Sequence, residues 1–163
     1  MPELSLREAG FLNYNLEIKS KLLEAHMKAA EAYAECSTAV RLKVGCVLVK
    51  DNRIISIGYN GTPSGWPNEC EEETLWLNGK QMPSPVMVTK PEVLHAESNA
   101  IAKLARSNES GHGSIAIITH SPCLECAKLL FQSGIVGVYY RHDYRSEVGK
   151  AFLEACHVKV QQI

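Results

Sequence analysis

Two short segments of the chain carry side chains that could bind a metal ion. The first holds His95 and Glu97, and the second holds Cys123 and Cys126, of which Cys123 directly follows a proline. Proline suits the first turn of a helix, where its missing N–H costs no hydrogen bond, and two cysteines three positions apart then share one helix face. A helix N-terminus stabilises negative charge, so thiols there lose their protons readily. One imidazole and two thiolates form a zinc-binding set that is one ligand short of a tetrahedron.

The missing fourth ligand distinguishes two kinds of zinc site. A structural site closes with four protein ligands, whereas a catalytic site leaves room for water. Zinc lowers the pKa of that water to about 7, and Glu97 is placed to take the water proton and later give it to a leaving nitrogen. We therefore predict a catalytic zinc site. The alternative is a four-ligand structural zinc that recruits Cys70.

Length and composition bound the class of protein. The chain has 163 residues, of which 45% are hydrophobic and 21% are charged. These values are typical of a folded domain, and we predict a single domain over residues 1–163 with a loose N-terminal arm at residues 1–14. No apolar stretch approaches the roughly 18 residues of a membrane helix, and no secretory signal pattern is visible, so we expect a cytoplasmic protein without a membrane partner. Seventeen Lys and Arg stand against 18 Asp and Glu, without the basic excess typical of nucleic-acid binding.

The six cysteines do not indicate a disulfide framework. A secreted disulfide scaffold is shorter and denser in cysteine, so metal ligands and small buried side chains are the better interpretations. We expect Cys46 and Cys156 to lie in the core. Cys36 and Cys70 are candidates for a second metal.

Helical and strand patterns alternate along most of the chain. Two nearly all-apolar runs are separated by Asp51-Asn52, which favours a tight hairpin, and the later strand–helix–strand alternation favours parallel crossovers. We predict a three-layer α/β/α sandwich around a five-stranded mixed sheet. The predicted helices are Leu16–Cys36, Ala96–Ser107, Cys123–Ser133 and Ser146–Cys156, and the strands are Gly45–Lys50, Arg53–Tyr59, Ser114–Thr119, Ile135–Tyr140 and His157–Gln161.

Residues 60–92 show no clean periodicity. This segment holds five prolines and three glycines, and a loop of such length in a compact domain is usually functional or disordered. Trp66 and Trp76 argue against disorder. We predict a lid or interface insertion that contains a short helix around Glu71–Leu77 and orders when a nucleotide binds, with a rigid insertion as the alternative.

The motifs resemble those of a known family. HAESNAI (His95–Ile101) followed by SPCLECAK (Ser121–Lys128) is similar to the His-x-Glu … Pro-Cys-x-x-Cys signature of zinc-dependent nucleoside and nucleotide deaminases. Val44–Gly65 resembles the first hairpin and glycine-rich turn of deoxycytidylate deaminases, and KLLFQSGIVGVYYRHDY and FLEACHVKV resemble their C-terminal third. The resemblance covers about residues 20–163 and is weakest at 66–92.

The resemblance implies a cytidine deaminase-like fold and the hydrolytic deamination of dCMP to dUMP and ammonia, which supplies dUMP for thymidylate synthesis. His95, Cys123 and Cys126 would be the Zn²⁺ ligands. A zinc-bound hydroxide would attack C4 of the base, and Glu97 would protonate N3 and then the departing amino group.

The resemblance also implies which residues hold the substrate. The backbone at Ala96 and at the Ser121–Cys123 turn, which includes Pro122, would hold the pyrimidine edge. Asn60 would bind the sugar or phosphate, and Tyr144 would lie near the base or phosphate. Candidate donors to the phosphate are Arg41, Lys43, Ser64 and Asn60.

Deoxycytidylate deaminases are commonly hexamers that dCTP activates and dTTP inhibits, each with Mg²⁺. The resemblance therefore implies a homo-oligomer with two nucleotide effectors. We place Arg106, at the far end of the helix that His95 opens, and Gly61 at an effector site or subunit interface. A simple end-of-helix charge is the alternative role of Arg106.

Two other functions remain open from the sequence. The first is another zinc deaminase, acting on cytidine, guanine or adenosine in tRNA. Free cytidine deaminases usually have Cys where this chain has His95, and nucleic-acid editors usually have a more basic surface, so both observations favour a small nucleotide. The second is a non-catalytic zinc-stabilised interaction module, in which Glu97 would be dispensable.

Overall fold

A computed structural model describes residues 18–163 and contains a five-stranded sheet and a separate two-stranded sheet. The predicted arm at residues 1–14 lies outside the described residues. The elements in chain order are α1 (Ser20–Ala34), β1 (Gly45–Lys50), β2 (Arg53–Tyr59), β3 (Glu71–Leu77), β4 (Lys80–Thr89), α2 (Ala96–Leu104), β5 (Ile115–His120), α3 (Leu124–Gln132), β6 (Gly137–His142), α4 (Val148–Ala155) and β7 (Lys159–Gln162).

The large sheet is mixed, as predicted, with the strand order β2-β1-β5-β6-β7. β1 runs antiparallel to both β2 and β5, whereas β5, β6 and β7 are parallel. The turn between β1 and β2 has positive φ at Asp51 (51°) and Asn52 (58°), which are backbone conformations that these two residue types tolerate. Two antiparallel steps make β2 parallel to β5, so the carboxyl ends of β2, β5 and β6 lie at one edge of the sheet.

Both faces of the sheet are covered, which confirms the three-layer prediction. On one face, Met27 of α1 packs in a cluster with Val47 and Val49 of β1. On the other face, Leu48 packs with the apolar side chains of α2, α3 and α4. Successive strand residues point to opposite faces, and this alternation explains why β1 is apolar at nearly every position.

The predicted helix at Glu71–Leu77 is wrong, because this segment is β3 and pairs with β4 in an antiparallel hairpin. The turn between them has positive φ at Asn78 (51°) and Gly79 (74°), and Asn-Gly is the sequence that favours such a turn. The ladder skips from the Trp76–Gln81 pair to the Thr74–Val86 pair. The prolines of β4 stand in this skipped stretch, where a missing N–H costs no ladder bond.

β1 and β2 have the predicted ends and α2 begins at the predicted residue, whereas the other ends differ from the predicted ones by one to four residues. α1 begins at Ser20, and the strands β6 and β7 begin two residues later than predicted. Ile135 is not yet in β6, because its N–H donates to the carbonyl of Leu130 and closes the end of α3 (3.2 Å). Within residues 18–163, no helix is long and apolar enough to cross a membrane.

Candidate metal and active site

Each of the two segments with metal-binding side chains begins a helix, and both lie near the carboxyl ends of strands β2, β5 and β6. His95 is the N-cap of α2 and Cys123 is the N-cap of α3, and both have extended backbone angles. The carbonyl of His95 accepts from the N–H of Asn99, and that of Cys123 accepts from the N–H of Ala127, each at 2.9 Å. The two caps are therefore held by the first turn of their own helices.

Helix α2 is pressed closely onto β2. A Cβ at Gly58 would lie 2.0 Å from the carbonyl oxygen of Ala96, so no larger residue fits without moving the helix. Ser56 Oγ donates to the carbonyl of Ala100 (2.7 Å), and Asn99 Nδ2 donates to that of Tyr59 (2.8 Å). These contacts fix the helix that carries His95 and Glu97.

The turn that carries Cys123 is held by the neighbouring strand and by α4. The N–H of Ser121 donates to the carbonyl of His142 (2.8 Å), and Ser121 Oγ accepts from the N–H of Tyr144 (2.7 Å). A Cβ at Gly149 would lie 2.1 Å from the carbonyl oxygen of Pro122. A glycine therefore lets α4 cover the turn at backbone contact distance.

The three predicted ligand atoms lie together. His95 Nδ1 is 3.5 Å from Cys123 Sγ and 3.4 Å from Cys126 Sγ. Zn–S and Zn–N bonds of about 2.3 and 2.0 Å in a tetrahedron place N and S about 3.5 Å apart. The donor set and its spacing therefore fit Zn²⁺. Among residues 18–163, this is the one group of three or more His, Cys, Asp or Glu with metal-binding spacing, and it includes neither Cys36 nor Cys70.

Hydrogen bonds within this group set the protonation of the thiols. The bond from Cys126, with a further one from His95, lowers the pKa of Cys123 to about 3. The same bond, together with burial, raises the pKa of Cys126. The bond to Cys123 also raises the pKa of His95.

Glu97 is the buried acid of the site. Its side chain is only 4% exposed, and this burial raises its pKa to about 7. The carboxyl hydrogen-bonds with Cys126 and lines the same cavity as His95. A carboxyl with a pKa near neutrality can both accept and return a proton at physiological pH.

A cavity of about 310 Å³ opens beside the metal-binding group. Its volume is near the lower end of the range of small-molecule pockets, about 300–1,000 Å³. We call the part lined by the buried residues Ala96, Glu97 and Ser121 the floor of the cavity, and the part lined by the exposed residues Arg41, Thr89 and Arg145 its mouth. The lining residues are Arg41, Leu42, Val44, Asn60, Glu71, Thr89, Val93, His95, Ala96, Glu97, His120, Ser121, Cys123, Tyr144 and Arg145.

The structure brings five of the predicted substrate residues to this cavity, and the other predicted substrate and interface residues lie outside its lining. Arg41, Asn60, Ala96, Ser121 and Tyr144 line it. Pro122 is fully buried within its turn, and Lys43 pairs with Glu35 (3.3 Å). Ser64 and Arg106 are exposed, and Gly61 forms a β-bridge with Leu94.

Asn60 braces the cavity wall. Its Oδ1 accepts from the N–H of Val44 and its Nδ2 donates to the carbonyl of Leu42, both at 2.8 Å. The amide therefore holds the segment before β1 against the segment after β2. One N–H and one lone pair remain for a ligand.

Several lining residues were not among the predicted site residues, and among them are Arg145, Glu71 and Thr89. Arg145 directly follows Tyr144, which was a predicted substrate residue, so the prediction included the correct loop but not the arginine. Glu71 and Thr89 are cross-strand partners at the base of the hairpin. The Asn78-Gly79 turn sets the pairing of β3 with β4. Recognising this turn in the sequence would have predicted that Glu71 and Thr89 are paired.

The comparisons with known proteins agree with this geometry. Residues 20–142 match the family model of the cytidine and deoxycytidylate deaminase zinc-binding region. The deoxycytidylate deaminase of Enterobacteria phage T4 is 36% identical over 63% of this chain and 68% of its own length. That of Schizosaccharomyces pombe is 33% identical over 96% of this chain and 48% of its own length.

A solved structure is similar over most of the described fold. The dCMP deaminase from the cyanophage S-TIM5, in complex with dCMP and dUMP, is 40% identical, with a TM-score of 0.78 over 90% of this chain and 100% of that chain. The chain spans about half to two thirds of the length of the curated relatives named above. Since the family model covers most of its residues, the chain belongs to the cytidine and deoxycytidylate deaminase zinc-binding family.

Proposed function

We propose that the protein is a zinc-dependent deoxycytidylate deaminase that converts dCMP and water to dUMP and ammonia. The observation that carries this proposal is the placement of His95, Cys123 and Cys126 beside a buried Glu97 at the floor of one cavity. The likeness to a cyanophage enzyme whose solved complex holds dCMP and dUMP supports the choice of substrate.

His95, Cys123 and Cys126 would hold the zinc. Bound zinc supplies Lewis-acid activation, so that a water becomes nucleophilic at neutral pH. Glu97 accepts the proton of the water that attacks C4 and delivers it to N3 of the base. The C4–O bond forms, the C4–N bond breaks, and Glu97 passes the second water proton to the departing amine. A carboxyl with a pKa of about 7 suits both transfers.

Residues that line the cavity are candidates for contacts with the pyrimidine base. We propose that the backbone of Ala96 and Ser121 orients the pyrimidine edge and that Tyr144 closes the opposite side. His120 lines the cavity, and its ring is fixed by Thr119 Oγ1 (3.1 Å) and by the neighbouring His142 ring. We propose that the ring of His120 packs against the base.

Two arginines support recognition of a 5′-phosphate. Arg41 and Arg145 line the cavity mouth, and guanidinium groups bind phosphate through paired N–H donors. Lys43 pairs with Glu35 and Ser64 is exposed away from the cavity. We therefore propose Arg41 and Arg145 as the phosphate donors, with Asn60 toward the sugar.

Regulation and location are further parts of the proposal. A homohexamer that responds to dCTP and dTTP, each with Mg²⁺, follows from the family resemblance. A cytoplasmic location is likewise part of the proposal.

An absorbance assay with dCMP, deoxycytidine, cytidine, dCTP and guanine tests the substrate. We expect dCMP to be preferred over deoxycytidine by about 100-fold or more in kcat/KM, because donors built for a phosphate are left unpaired without it. We also expect zinc to be present at one equivalent and activity to be lost with a chelator. Equal kcat/KM for dCMP and deoxycytidine contradicts the proposal, and turnover of guanine or cytidine alone identifies another deaminase. Bound zinc without turnover identifies a binding module.

A further inference from the structure

We propose that the first cross-strand pair of the β3–β4 hairpin, Glu71 and Thr89, positions Arg41 and thereby sets the preference for a phosphorylated substrate. This inference rests on the proposed function, since it assigns the device that gives that function its selectivity. It makes Glu71 and Thr89 positioning residues that act through Arg41 at the cavity mouth.

Arg41 is held at both its backbone and its side chain by this pair. The Glu71 carboxylate accepts the N–H of Val40 (3.1 Å) through one oxygen and the N–H of Arg41 (3.2 Å) through the other. Thr89 Oγ1 accepts from Arg41 Nη1 (3.2 Å). Glu71 and Thr89 are themselves aligned partners in the ladder, so one point of the hairpin fixes both the path of the loop and the direction of the guanidinium.

The loop that carries Arg41 needs such a support. Residues 37–44 lie between α1 and β1 and belong to no helix or strand, and Val40 is 81% exposed. Glu71 supplies acceptors for two consecutive backbone N–H groups of this loop. The Glu71 carboxylate therefore binds the loop backbone, and Glu71 and Arg41 both line the cavity.

The guanidinium keeps most of its donors for a ligand. Arginine has five N–H donors in a planar fork, and Thr89 uses one of them. A long side chain that is already oriented loses less conformational freedom when it binds. We therefore infer that the hydrogen bond to the Thr89 hydroxyl orients the Arg41 guanidinium, and that its other N–H groups remain available to bind a phosphate.

This arrangement predicts a selective effect on phosphorylated substrates. A substrate with a 5′-phosphate gains from an oriented Arg41, whereas deoxycytidine has no group for it to bind. Because the pair lies at the mouth and the chemistry at the floor, the loss falls on KM for dCMP rather than on kcat.

The experiment compares Thr89→Val, Glu71→Gln and Arg41→Ala with the wild type, using dCMP and deoxycytidine. We expect Thr89→Val to raise KM for dCMP about 3- to 10-fold, with a much smaller effect on kcat for dCMP and on kcat/KM for deoxycytidine. We expect Arg41→Ala, which removes the guanidinium itself, to raise KM for dCMP about 10- to 100-fold. Glu71→Gln should act in the same direction. Glu73→Gln is the matched control, since Glu73 lies two positions along β3, is exposed and does not line the cavity.

A double-mutant cycle separates positioning from a general structural role. If Thr89 acts through Arg41, Thr89→Val has no further effect on KM in the Arg41→Ala background. An equal loss in both backgrounds, a parallel loss with deoxycytidine, or an unchanged KM for dCMP in Thr89→Val overturns the inference while the proposed function stands. A wild type that does not deaminate dCMP overturns the proposed function itself, and this inference with it.

Discussion

At the scale of single residues, Glu97 combines the two properties that a proton shuttle requires. It is nearly excluded from water, with 4% of its surface exposed, and it lies next to the metal-binding group without belonging to it. Burial holds its pKa near 7, whereas an exposed glutamate titrates near 4.3. Its position in the first turn of α2 follows directly from its place two residues after His95.

We expect Glu97→Gln to retain zinc and fold but to lose about 10²- to 10⁴-fold in kcat, because glutamine has the same shape and cannot carry the proton. Turnover of dCMP, zinc content and thermal unfolding should be measured together. Glu125→Gln is the matched control, since Glu125 is also in the first turn of its helix but is exposed. Near-normal turnover by Glu97→Gln would exclude the proton-shuttle role.

The spacing of a few residues was enough to predict the metal-binding group, but not the cavity mouth. His95, Glu97, Cys123 and Cys126 lie at the N-caps and in the first turns of two helices. A helix start is a local feature that proline and cysteine spacing indicate. Arg41 depends instead on partners that lie 30 and 48 positions away in sequence. Such contacts depend on strand register, which short-range patterns do not fix.

At the scale of elements, the β3–β4 hairpin has two different halves. Its base contacts the cavity mouth through Glu71 and Thr89. Its distal half exposes large apolar side chains, among them Trp76 at 61% and Leu77 at 39%. The strands of this segment were not predicted because it contains Pro83 and Pro85, and proline within a run of residues argues against a strand. The exposed distal half is consistent with the predicted lid or subunit contact, which remains a prediction.

We expect the emission of Trp76 to shift to shorter wavelength when the distal half of the hairpin becomes covered. The variant Trp66→Phe leaves Trp76 as the remaining tryptophan of the two in the chain. A shift on adding saturating dUMP at constant protein concentration indicates a lid, and a shift on raising protein concentration without nucleotide indicates a subunit contact. An emission spectrum that is constant in both titrations contradicts both roles.

At the scale of the whole molecule, α2 connects the site to the opposite side of the domain. His95 and Glu97 lie at one end of this nine-residue helix, and Arg106 lies exposed just beyond the other. A rigid helix with a functional group at each end is an element on which an effector and a substrate could act together. The three-layer fold was predictable from the strand–helix alternation because each element buries its own periodic apolar face. Its assembly into oligomers was not, since that depends on exposed surfaces.

We expect Arg106→Glu to weaken assembly or abolish the response to dCTP while zinc content stays at the wild-type level. Reversal of the charge removes any ion pair with a neighbouring subunit or a triphosphate, and Arg106 is remote from the metal-binding group. Activity against dCMP concentration should be measured with and without dCTP and Mg²⁺, together with sedimentation. Lys28→Glu, an exposed charge reversal on α1, is the control. A wild type that is monomeric, with hyperbolic kinetics indifferent to dCTP and dTTP, would contradict the regulatory proposal.

The close contact of Gly149 with the Pro122 and Cys123 carbonyls also bears on the order of events during synthesis. A ribosome produces all three metal-binding residues before it produces α4, the helix that covers their turn. During that interval the turn of Cys123 and Cys126 lacks the helix that covers it in the folded domain. Helix α4 therefore completes the packing of a site to which it contributes no ligand, and we expect it to do so after the ligands have been synthesised.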